Sequence, residues 1–533
     1  MILAVVAAVA AASAITWNAQ RVPGVASVDR AHTSALEPGG AIPTTTPPTS
    51  AGTTTKPGTG AGRGAQPSKA AADDLTASVA YLEAHYGITK AEAARRLKLQ
   101  SQADQLDAQL RAGYPDAYAG MWLDQSHGGV LRIATTNASA LAPAIAKTAD
   151  SAHIALVPVQ RSLKQLDALA DAIRAELPDS VAQVSVDVIA NQVAVYQTAG
   201  SVEAGRNAQT LAQLDAAQRS VATPDPQVEA VVATHPGSVL RQLVAGEAKS
   251  APLPCQPLNS RLPSSLPICP GERASHARLV AGSLLVIKRT TANNDSDNEN
   301  PMYGECTLGF VVIDASKNGY YGLTAGHCLA GPDKVGLTYA YTGGLTQIGV
   351  EAPVYQHGSN TGASTYPTDY GLISITNPLA LIGTAPKNQI AIICTTVQSS
   401  GCSSAATTVR GVRTYGSGLG TGEIVCATGR GDNDLYGYKS SQLTPGTRCG
   451  EVTGTNGGFV TNICSRKGDS GGPLFSQATG YAYGILNDGS AGTSTCGSSE
   501  WSQYTPVSVV MSKINQQDVA NGGTGQLKVA TAP

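Results

Sequence analysis

The chain has 533 residues, a formal net charge of −2 and 14% charged residues. This length exceeds what one hydrophobic core usually supports and predicts two to four domains. A nearly neutral chain without a long basic run excludes the electrostatic pattern of a nucleic-acid-binding protein.

The first 15 residues, MILAVVAAVAAASAI, are apolar, and the chain then turns polar. About 20 apolar residues are needed to span a bilayer as a helix, so we expect a signal peptide or a short apolar anchor over 1–19. Ala12-Ser13-Ala14 offers a small-residue cleavage site, but the usual basic residues before the apolar run are missing. Export is expected, whereas removal of the segment stays open.

A Pro/Thr/Gly-rich stretch follows over 20–72 and includes EPGGAIPTTTPPTSAGTTTKPGTGAGRGAQPSK. It has too few apolar side chains to offset the entropy of ordering the backbone. We therefore predict a disordered linker.

The region 73–250 has the pattern of an α+β domain. DDLTASVAYLEAHYG places apolar residues at helical intervals, and the next segment opens with a Thr89/Glu92 capping box. YAGMWLDQSHGGVLRIATT alternates around a Gly-Gly turn, HIALVPV precedes the helical SLKQLDALADAIRAELP, and AQVSVDVIANQVAVYQT is strand-like. The pattern predicts α+β structure to about residue 200 and a helical tail to about 250.

Cysteines occur only in the second half of the chain, at Cys255, Cys269, Cys306, Cys328, Cys394, Cys402, Cys426, Cys449, Cys464 and Cys496. An even number of closely spaced cysteines indicates disulfides and an oxidising compartment. Free thiols or a metal site are the alternative, but the spacing typical of zinc ligands is missing.

The region 251–533 consists of short β-branched and aromatic runs divided by Gly, Asn, Ser and Thr. CTLGFVVIDASKNGYYGLTAGHC predicts a hairpin around Asn318-Gly319, and GGPLFSQATGYAYGILND predicts another around Thr479-Gly480. Helical spacing returns only at SVVMSKINQ near the end. Many short strands predict an all-β barrel or sandwich.

Ser470 is the candidate nucleophile, because Gly468-Asp469-Ser470-Gly471-Gly472 satisfies G-x-S-x-G. In an α/β-hydrolase the serine comes before the acid and the histidine. The last histidine of this chain is His357, so that fold is excluded and the base must come from upstream.

His327 is the preferred base, since it lies where the first predicted hairpin ends, whereas His357 lies among turn residues. An imidazole base needs a carboxylate that fixes its tautomer. The candidates between the histidine and the serine are Asp333, Asp369, Asp432, Asp434 and Asp469. Asp369 is preferred because PTDYGLISI places it directly before an apolar strand.

Three motifs in one order, LTAGHC, TDYGLI and GDSGGPLF, resemble those of the chymotrypsin-like serine peptidases. The Cys464 to Ser470 interval and the short Gly-rich loops are more similar to the bacterial secreted branch, the streptogrisins and α-lytic protease. The resemblance covers roughly residues 279–515. It implies two six-stranded antiparallel β-barrels with the site at their junction, and peptide-bond hydrolysis through an acyl-enzyme.

The resemblance also implies a role for each site residue. Ser470 would be the nucleophile, His327 the general base and then acid, and Asp369 the orienting group. The backbone N–H groups of Gly468 and Ser470 would form the oxyanion hole. The strand residues implied to pair with substrate are Asn487, Asp488 and Gly489, whereas the preferred residue before the scissile bond stays open.

The same resemblance implies three disulfides, Cys306–Cys328, Cys426–Cys449 and Cys464–Cys496, and the cysteines that remain are expected to pair as Cys394–Cys402 and Cys255–Cys269. YAGMWLDQSHGGVLRIATT and the helices before it are similar to the pro-regions of that bacterial branch, which act as intramolecular inhibitors and folding catalysts. A β protein dominated by non-local pairing folds slowly, so a template can lower its barrier. We therefore expect a zymogen with a pro-region over 73–250 and a protease domain over 251–533.

Asp469 requires a cation, because an unpaired buried charge is costly. The bacterial relatives carry an arginine where this chain has Ala427, and Arg430 follows three residues later. We expect an internal arginine as the partner. The alternative is the ammonium group of Leu279, released by cleavage after Arg278.

The sequence thus favours a secreted serine endopeptidase made as a zymogen. Its expected partners are protein or peptide substrates and its own pro-region. No cofactor, metal or nucleic acid is expected, and the molecule is expected to be a monomer. The alternative is a non-catalytic surface or binding protein on a protease fold, but a pure binder would not need the Ser-His-Asp set.

Overall fold

The computed structural model describes residues 75–177, 182–197, 226–242, 247–248, 279–288, 303–314, 316, 319–329, 337–341, 345–357, 369–376, 388–392, 405–429, 446–455, 457–466, 468–490 and 500–532. The predictions for the apolar segment at 1–19, the linker at 20–72 and Cys255, Cys269, Cys394, Cys402 and Cys496 lie outside the described residues. Within these ranges, no helix is both long and apolar enough to cross a bilayer.

Two helices open the pro-region where the apolar spacing predicts them, α1 (Thr76–Tyr86) and α2 (Lys90–Gly113). Thr89 is the N-cap of α2, and its side chain accepts a hydrogen bond from the Glu92 backbone N–H. The Glu92 carboxylate instead pairs with Arg95 and Arg96. Among the described contacts, only one half of the predicted capping box is therefore present.

The pro-region contains two copies of one topology. The first copy consists of α2, β1 (Tyr118–Asp124), β2 (Val130–Thr135), α3 (Ala138–Ile145) and β3 (Ile154–Pro158). The second consists of α4 (Leu163–Glu176), β4 (Ala182–Asp187), β5 (Gln192–Gln197), α5 (Pro226–Thr234) and β6 (Ser238–Gln242). In each copy the first two strands are antiparallel and the third joins the second in parallel.

The predicted helical tail to about residue 250 is wrong beyond Thr234, where α5 ends. The chain after α5 forms β6 because it pairs in parallel with β5. Leu240 of β6 packs against the apolar core of the second copy, which includes Val193, Val195 and Val228. This pairing joins segments separated by more than 30 residues, which periodicity within one segment cannot predict.

The first barrel contains β8 (Leu284–Lys288), β9 (Tyr303–Thr307), β10 (Phe310–Asp314), β11 (Gly319–Thr324), β12 (Leu337–Tyr341), β13 (Leu345–His357) and β14 (Tyr370–Ile375). The strand order is β10-β11-β14-β13-β12-β8-β9, with β24 (Leu527–Val529) at the β10 edge. Only Leu308 and Gly309 separate β9 from β10, so one bent strand pairs with β8 at its start and with β11 at its end. The backbone thereby connects the β9 end of this sheet with β10.

The second barrel contains β17 (Gly411–Val412), β18 (Ile424–Gly429), β19 (Gly446–Gly454), β20 (Phe459–Thr461), β21 (Pro473–Phe475), β22 (Tyr481–Gly489) and β23 (Ser502–Pro506). Its order is β22-β21-β18-β19-β20-β23, and pairing of β22 with β23 closes six strands, with β17 on β22 outside the ring. The remaining elements are β7 (Glu247–Ala248), β15 (Gln389–Ile392), β16 (Ala405–Thr408) and α6 (Val507–Ala520).

Both predicted hairpins are confirmed. Strands β10 and β11 pair with Asp314 opposite Gly319. Strands β21 and β22 are joined through Gly480, whose φ of 74° lies in the left-handed region and whose N–H donates to the Ser476 carbonyl. The predicted fold class is also confirmed, because a mostly-β domain follows a helix-containing pro-region.

Candidate active site

Three elements position the predicted site residues. Asp369 lies directly before β14, and His327 lies in a short 3-10 helix, Gly326–Cys328, that follows β11. Because β11 and β14 are paired neighbours, their adjacent ends bring the two residues together. Ser470 lies in the loop between β20 and β21, and its carbonyl accepts a hydrogen bond from the Thr307 N–H at 2.8 Å. The second-barrel loop is thereby fixed to the first barrel.

A continuous series of hydrogen bonds joins the three side chains. The Nε2 atom of His327 lies 2.9 Å from the Ser470 Oγ, and its Nδ1 lies 2.6 Å from the Asp369 Oδ2. The His327 backbone N–H donates to the other carboxylate oxygen, Oδ1, at 2.8 Å. A carboxylate beside Nδ1 favours the tautomer with its proton on that atom, which leaves Nε2 free to accept from the serine hydroxyl. All three residues are buried in the full chain.

The loop that carries the serine presents two backbone donors. Gly468 has a φ of 89°, which lies in the left-handed region that favours glycine. The Asp469 N–H donates to the Arg466 carbonyl at 3.0 Å. Across the described residues, the N–H groups of Gly468 and Ser470 have no hydrogen-bond acceptor. Both predicted oxyanion donors are thus available to bind another acceptor.

Asp469 is 3% exposed, and its cation is Arg448. The Arg448 Nη1 lies 3.1 Å from the Asp469 Oδ2, which also accepts the Arg466 backbone N–H at 2.9 Å. The prediction of an internal arginine is confirmed, but sequence reasoning missed the residue. The candidate Arg430 lies outside the described residues.

The position of Arg448 has a simple relation to the family pattern. In the β18–β19 ladder, Arg448 pairs directly with Ala427, the position where the bacterial relatives are expected to carry their arginine. The Arg448 guanidinium therefore reaches the Asp469 carboxylate from β19, whereas Ala427 lies opposite on β18. The other carboxylate oxygen of Asp469 leaves no room at Gly429, where an added Cβ would lie 2.1 Å from Oδ1.

The predicted substrate strand is the end of β22. Asn487 and Asp488 are buried, and the Asp488 carboxylate accepts the Gly489 backbone N–H at 2.7 Å. The two-residue strand β7 from the end of the pro-region pairs here, with Ala248 opposite Asp488 and Glu247 opposite Gly489. The edge expected to bind substrate backbone is therefore occupied by the chain itself.

Two of the implied disulfides, Cys306–Cys328 and Cys426–Cys449, are present. The first ties the residue after His327 to β9, and the second links directly paired residues of β18 and β19. Cys464 is also disulfide-bonded. Sulfur atoms in a disulfide do not bind metals as thiolates, so the proximity of Cys306 and Cys328 to His327 does not make a metal site.

The pro-region packs against the second barrel through both apolar and polar contacts. Leu419, from the loop before β18, is 1% exposed and lies in the apolar core of the first pro-region copy with Leu106, Leu110 and Tyr118. The Gln100 side chain accepts the Ile424 N–H at 2.8 Å and donates to its carbonyl at 3.0 Å. A pro-region side chain thus bonds both backbone groups of Ile424, as a neighbouring strand would.

A buried charge cluster lies at the same interface. Arg413 forms ion pairs with Asp104 of the pro-region and, at 3.4 Å, with Glu423 of the second barrel. Burial is the main reason that the pKa of Glu423 is raised to about 7, and the nearby Asp104 and Asp107 add to the rise while Arg413 opposes it. The Tyr483 hydroxyl donates to Glu423 at 3.1 Å.

Comparisons with known proteins match two parts of the chain to described families. The family described as Trypsin matches residues 316–514, and the family described as Alpha-lytic protease pro N-terminal matches residues 91–147. Serine protease 2 of Streptomyces fradiae is 31% identical over 208 residues, which cover 36% of this chain and 92% of that protein. The chain belongs to the trypsin family of serine proteases.

Further relatives of this trypsin-family protease come from Streptomyces griseus. Streptogrisin-A is 30% identical over 210 residues, which cover 39% of this chain and 54% of the relative. Streptogrisin-D is 27% identical over 192 residues, which cover 36% and 40%. A solved thermostable serine protease from an extremophilic microorganism matches at 14% identity and a TM-score of 0.25, covering 45% of this chain and 95% of its own. The trypsin-family protease is a serine endopeptidase made with a pro-region.

Proposed function

We propose that Ser470 is the nucleophile of this endopeptidase, His327 its general base and then acid, and Asp369 the carboxylate that orients the imidazole. The observation that carries the proposal is the unbroken hydrogen-bond series from Asp369 through His327 to the serine oxygen, with distances of 2.6 and 2.9 Å. The substrates are proteins or peptides.

The reaction follows from these contacts. The Ser470 Oγ attacks the carbonyl carbon of the scissile bond while His327 takes its proton, and Asp369 stabilises the imidazolium. The N–H groups of Gly468 and Ser470 bind the oxygen that becomes negative, and one such donor is worth about 10²–10³ in rate. His327 then protonates the leaving amine, and a water molecule hydrolyses the acyl-enzyme by the same route.

The pro-region acts as an intramolecular inhibitor. Strand β7 lies along Asp488 and Gly489, where a substrate backbone would pair in the same antiparallel manner. Leu419 and the Gln100–Ile424 bonds provide a second, more extensive attachment outside the cleft. The enzyme therefore starts as a zymogen, and the same attachment can act as a folding template.

The protein acts outside the cytoplasm. The disulfides Cys306–Cys328 and Cys426–Cys449 form and persist in an oxidising compartment. The apolar run at the start of the sequence provides an export signal or an anchor at the cell surface.

Peptide hydrolysis by the secreted chain tests the assignment. We expect Ser470→Ala and His327→Ala to remove activity, and Asp369→Asn to lower kcat by about 10⁴ because it favours the wrong tautomer. Ser512→Ala, at an exposed position on α6, is the matched serine control and should keep full activity. Retention of activity by folded Ser470→Ala would exclude the proposed nucleophile.

A further inference from the structure

The pro-region covers the segment of the second barrel that leads into β18. The Leu123 N–H donates to the Thr421 carbonyl at 3.0 Å, and the Gln125 side chain donates to the Gly422 carbonyl at 2.9 Å. A Cβ added at Gly422 would collide with the Leu123 carbonyl oxygen. The pro-region backbone therefore lies directly against this segment, in which Glu423 is the next residue.

One buried guanidinium faces two carboxylates here, one from each side of the interface. Arg413 lies 3.4 Å from Glu423 of its own domain and also pairs with Asp104 of α2. The Arg413 and Glu423 side chains are 3% and 1% exposed. Arg413 and Glu423 alone form a neutral pair, so Asp104 brings an excess negative charge to a place nearly without water. An uncompensated buried charge is costly, and a carboxylate there tends to bind a proton instead.

The other ionisable groups near Glu423 do not remove this excess charge. Asp107 of α2 pairs at 2.8 Å with Arg111, one helical turn later. The Tyr483 hydroxyl donates to Oε1 of Glu423 at 3.1 Å. Across the part of the chain that the structure describes, the other carboxylate oxygen, Oε2, is buried without a hydrogen-bond partner. The Oε2 atom is therefore the place where a proton can be held.

We propose that the pro-region and the protease domain bind each other with uptake of one proton by Glu423, so that their complex is tight in acid and weakens as the pH rises through neutrality. The proposal rests on the inhibitory role of the pro-region proposed above. It extends that role, because the medium would then decide whether a cleaved pro-region stays bound.

The pKa of Glu423 differs between the complex and the separated domain. In the full chain burial raises this pKa to about 7, Arg413 opposes the rise, and Asp104 and Asp107 add to it. Removal of the pro-region takes away both aspartates and uncovers the segment, so the pKa should fall towards its ordinary value of 4.5. Between these two values the complex holds a proton that the separated domains release, and each rise in pH favours separation.

A second glutamate of the protease domain acts in the same direction. Glu451 of β19 accepts a hydrogen bond from the Tyr86 hydroxyl of α1. Burial raises the pKa of Glu451, and Asp124 of the pro-region adds to the rise, whereas Tyr86, His85 and Arg96 oppose it. A change at Glu423 should therefore reduce the pH dependence rather than abolish it.

The test uses the full chain with Ser470→Ala and with a recognition site for a sequence-specific protease inserted between the pro-region and the protease domain. After the cut, a dye at the N-terminus of the pro-region reports its release by fluorescence anisotropy on dilution. We expect the dissociation constant at about pH 8 to be roughly tenfold or more above that at about pH 5.5.

Two variants isolate the charge excess. Asp104→Asn and Glu423→Gln each leave Arg413 with one carboxylate, so each should make the rise between these pH values at least about threefold smaller. Asp104→Asn changes only the pro-region, so the protease domain keeps its own residues. The matched control is Glu229→Gln, at an exposed position on α5, which should keep the full rise.

Two results would overturn the proposal. One is a dissociation constant that does not change between the two pH values, and the other is a rise that stays the same in both Asp104→Asn and Glu423→Gln. Peptide hydrolysis by the unaltered enzyme, freed of its pro-region, is measured separately. Active enzyme together with pH-independent binding refutes only the proton uptake, whereas correctly folded enzyme without activity contradicts the proposed function.

Discussion

Replacement of Arg448 by methionine tests how the oxyanion loop is held. The Arg448 side chain is 13% exposed and that of Asp469 3%, so the ion pair is nearly excluded from water. Breaking a buried pair costs about 3–5 kcal/mol. Asp469 keeps the Arg466 N–H at 2.9 Å, so we expect a smaller loss, about 2–3 kcal/mol or roughly 30- to 160-fold in rate.

The loss should appear in kcat rather than in KM, because the proposed oxyanion donors, the N–H groups of Gly468 and Ser470, act on the transition state. The assay is steady-state hydrolysis of a peptide by the processed enzyme, normalised to active sites titrated with a fluorophosphonate. The control is the double variant Ala427→Arg with Arg448→Ala. Directly paired residues have Cβ atoms about 4.5–5.5 Å apart, so the moved guanidinium should restore most of the rate.

Two results would contradict a dependence of the serine loop on this ion pair. Arg448→Met could keep kcat within about threefold of the unaltered enzyme, a difference well below the expected one. Alternatively, the double variant could be no faster than Arg448→Ala alone. Either result would mean that Asp469 does not depend on this cation for its position.

Three further predictions use the Ser470→Ala zymogen or the secreted enzyme. Glu423 has a pKa of about 7 in the folded chain against an ordinary value of 4.5, so its contribution to stability is present below pH 4.5 and lost as pH rises to 7. In Glu423→Gln the midpoint of urea unfolding should therefore change less with pH over this range. An unchanged pH dependence would contradict this expectation. Leu419→Ala should lower the zymogen's free energy of unfolding by about 2–5 kcal/mol, whereas Val519→Ala, exposed on α6, should not; equal effects of the two would refute the packing argument. Gly471→Ala should give no active enzyme, because φ is 77° and the new Cβ would lie 2.0 Å from a buried threonine oxygen; secreted active protein would contradict this.

Patterns within single segments of the sequence were sufficient to predict the elements that hold the histidine and the aspartate of the site. Asp369 could be selected because a carboxylate directly before an apolar strand is held by that strand, and β14 begins at the next residue. His327 could be selected because it follows the second strand of a hairpin signalled by Asn318-Gly319. In both cases the position of the site residue follows from the strand next to it in the sequence.

Contacts between distant segments were not predictable in the same way. Arg448 is separated from Asp469 by 21 residues, and its role depends on the β18–β19 register that places it opposite Ala427. Leu419 lies in an ordinary polar loop, and nothing local signals that it packs into a pro-region core some 300 residues earlier. The parallel pairing of β6 with β5 likewise requires knowledge of which strands meet.

The central claim is that Ser470 is made nucleophilic by His327 and Asp369. The most direct measurement is mass spectrometry of processed enzyme after reaction with a fluorophosphonate. We expect one adduct per molecule on the peptide that contains Ser470, and at least a hundredfold slower labelling in His327→Ala, since general-base catalysis typically contributes about 10²–10⁴. An adduct on another residue, or no adduct on correctly folded and processed protein, would contradict the account.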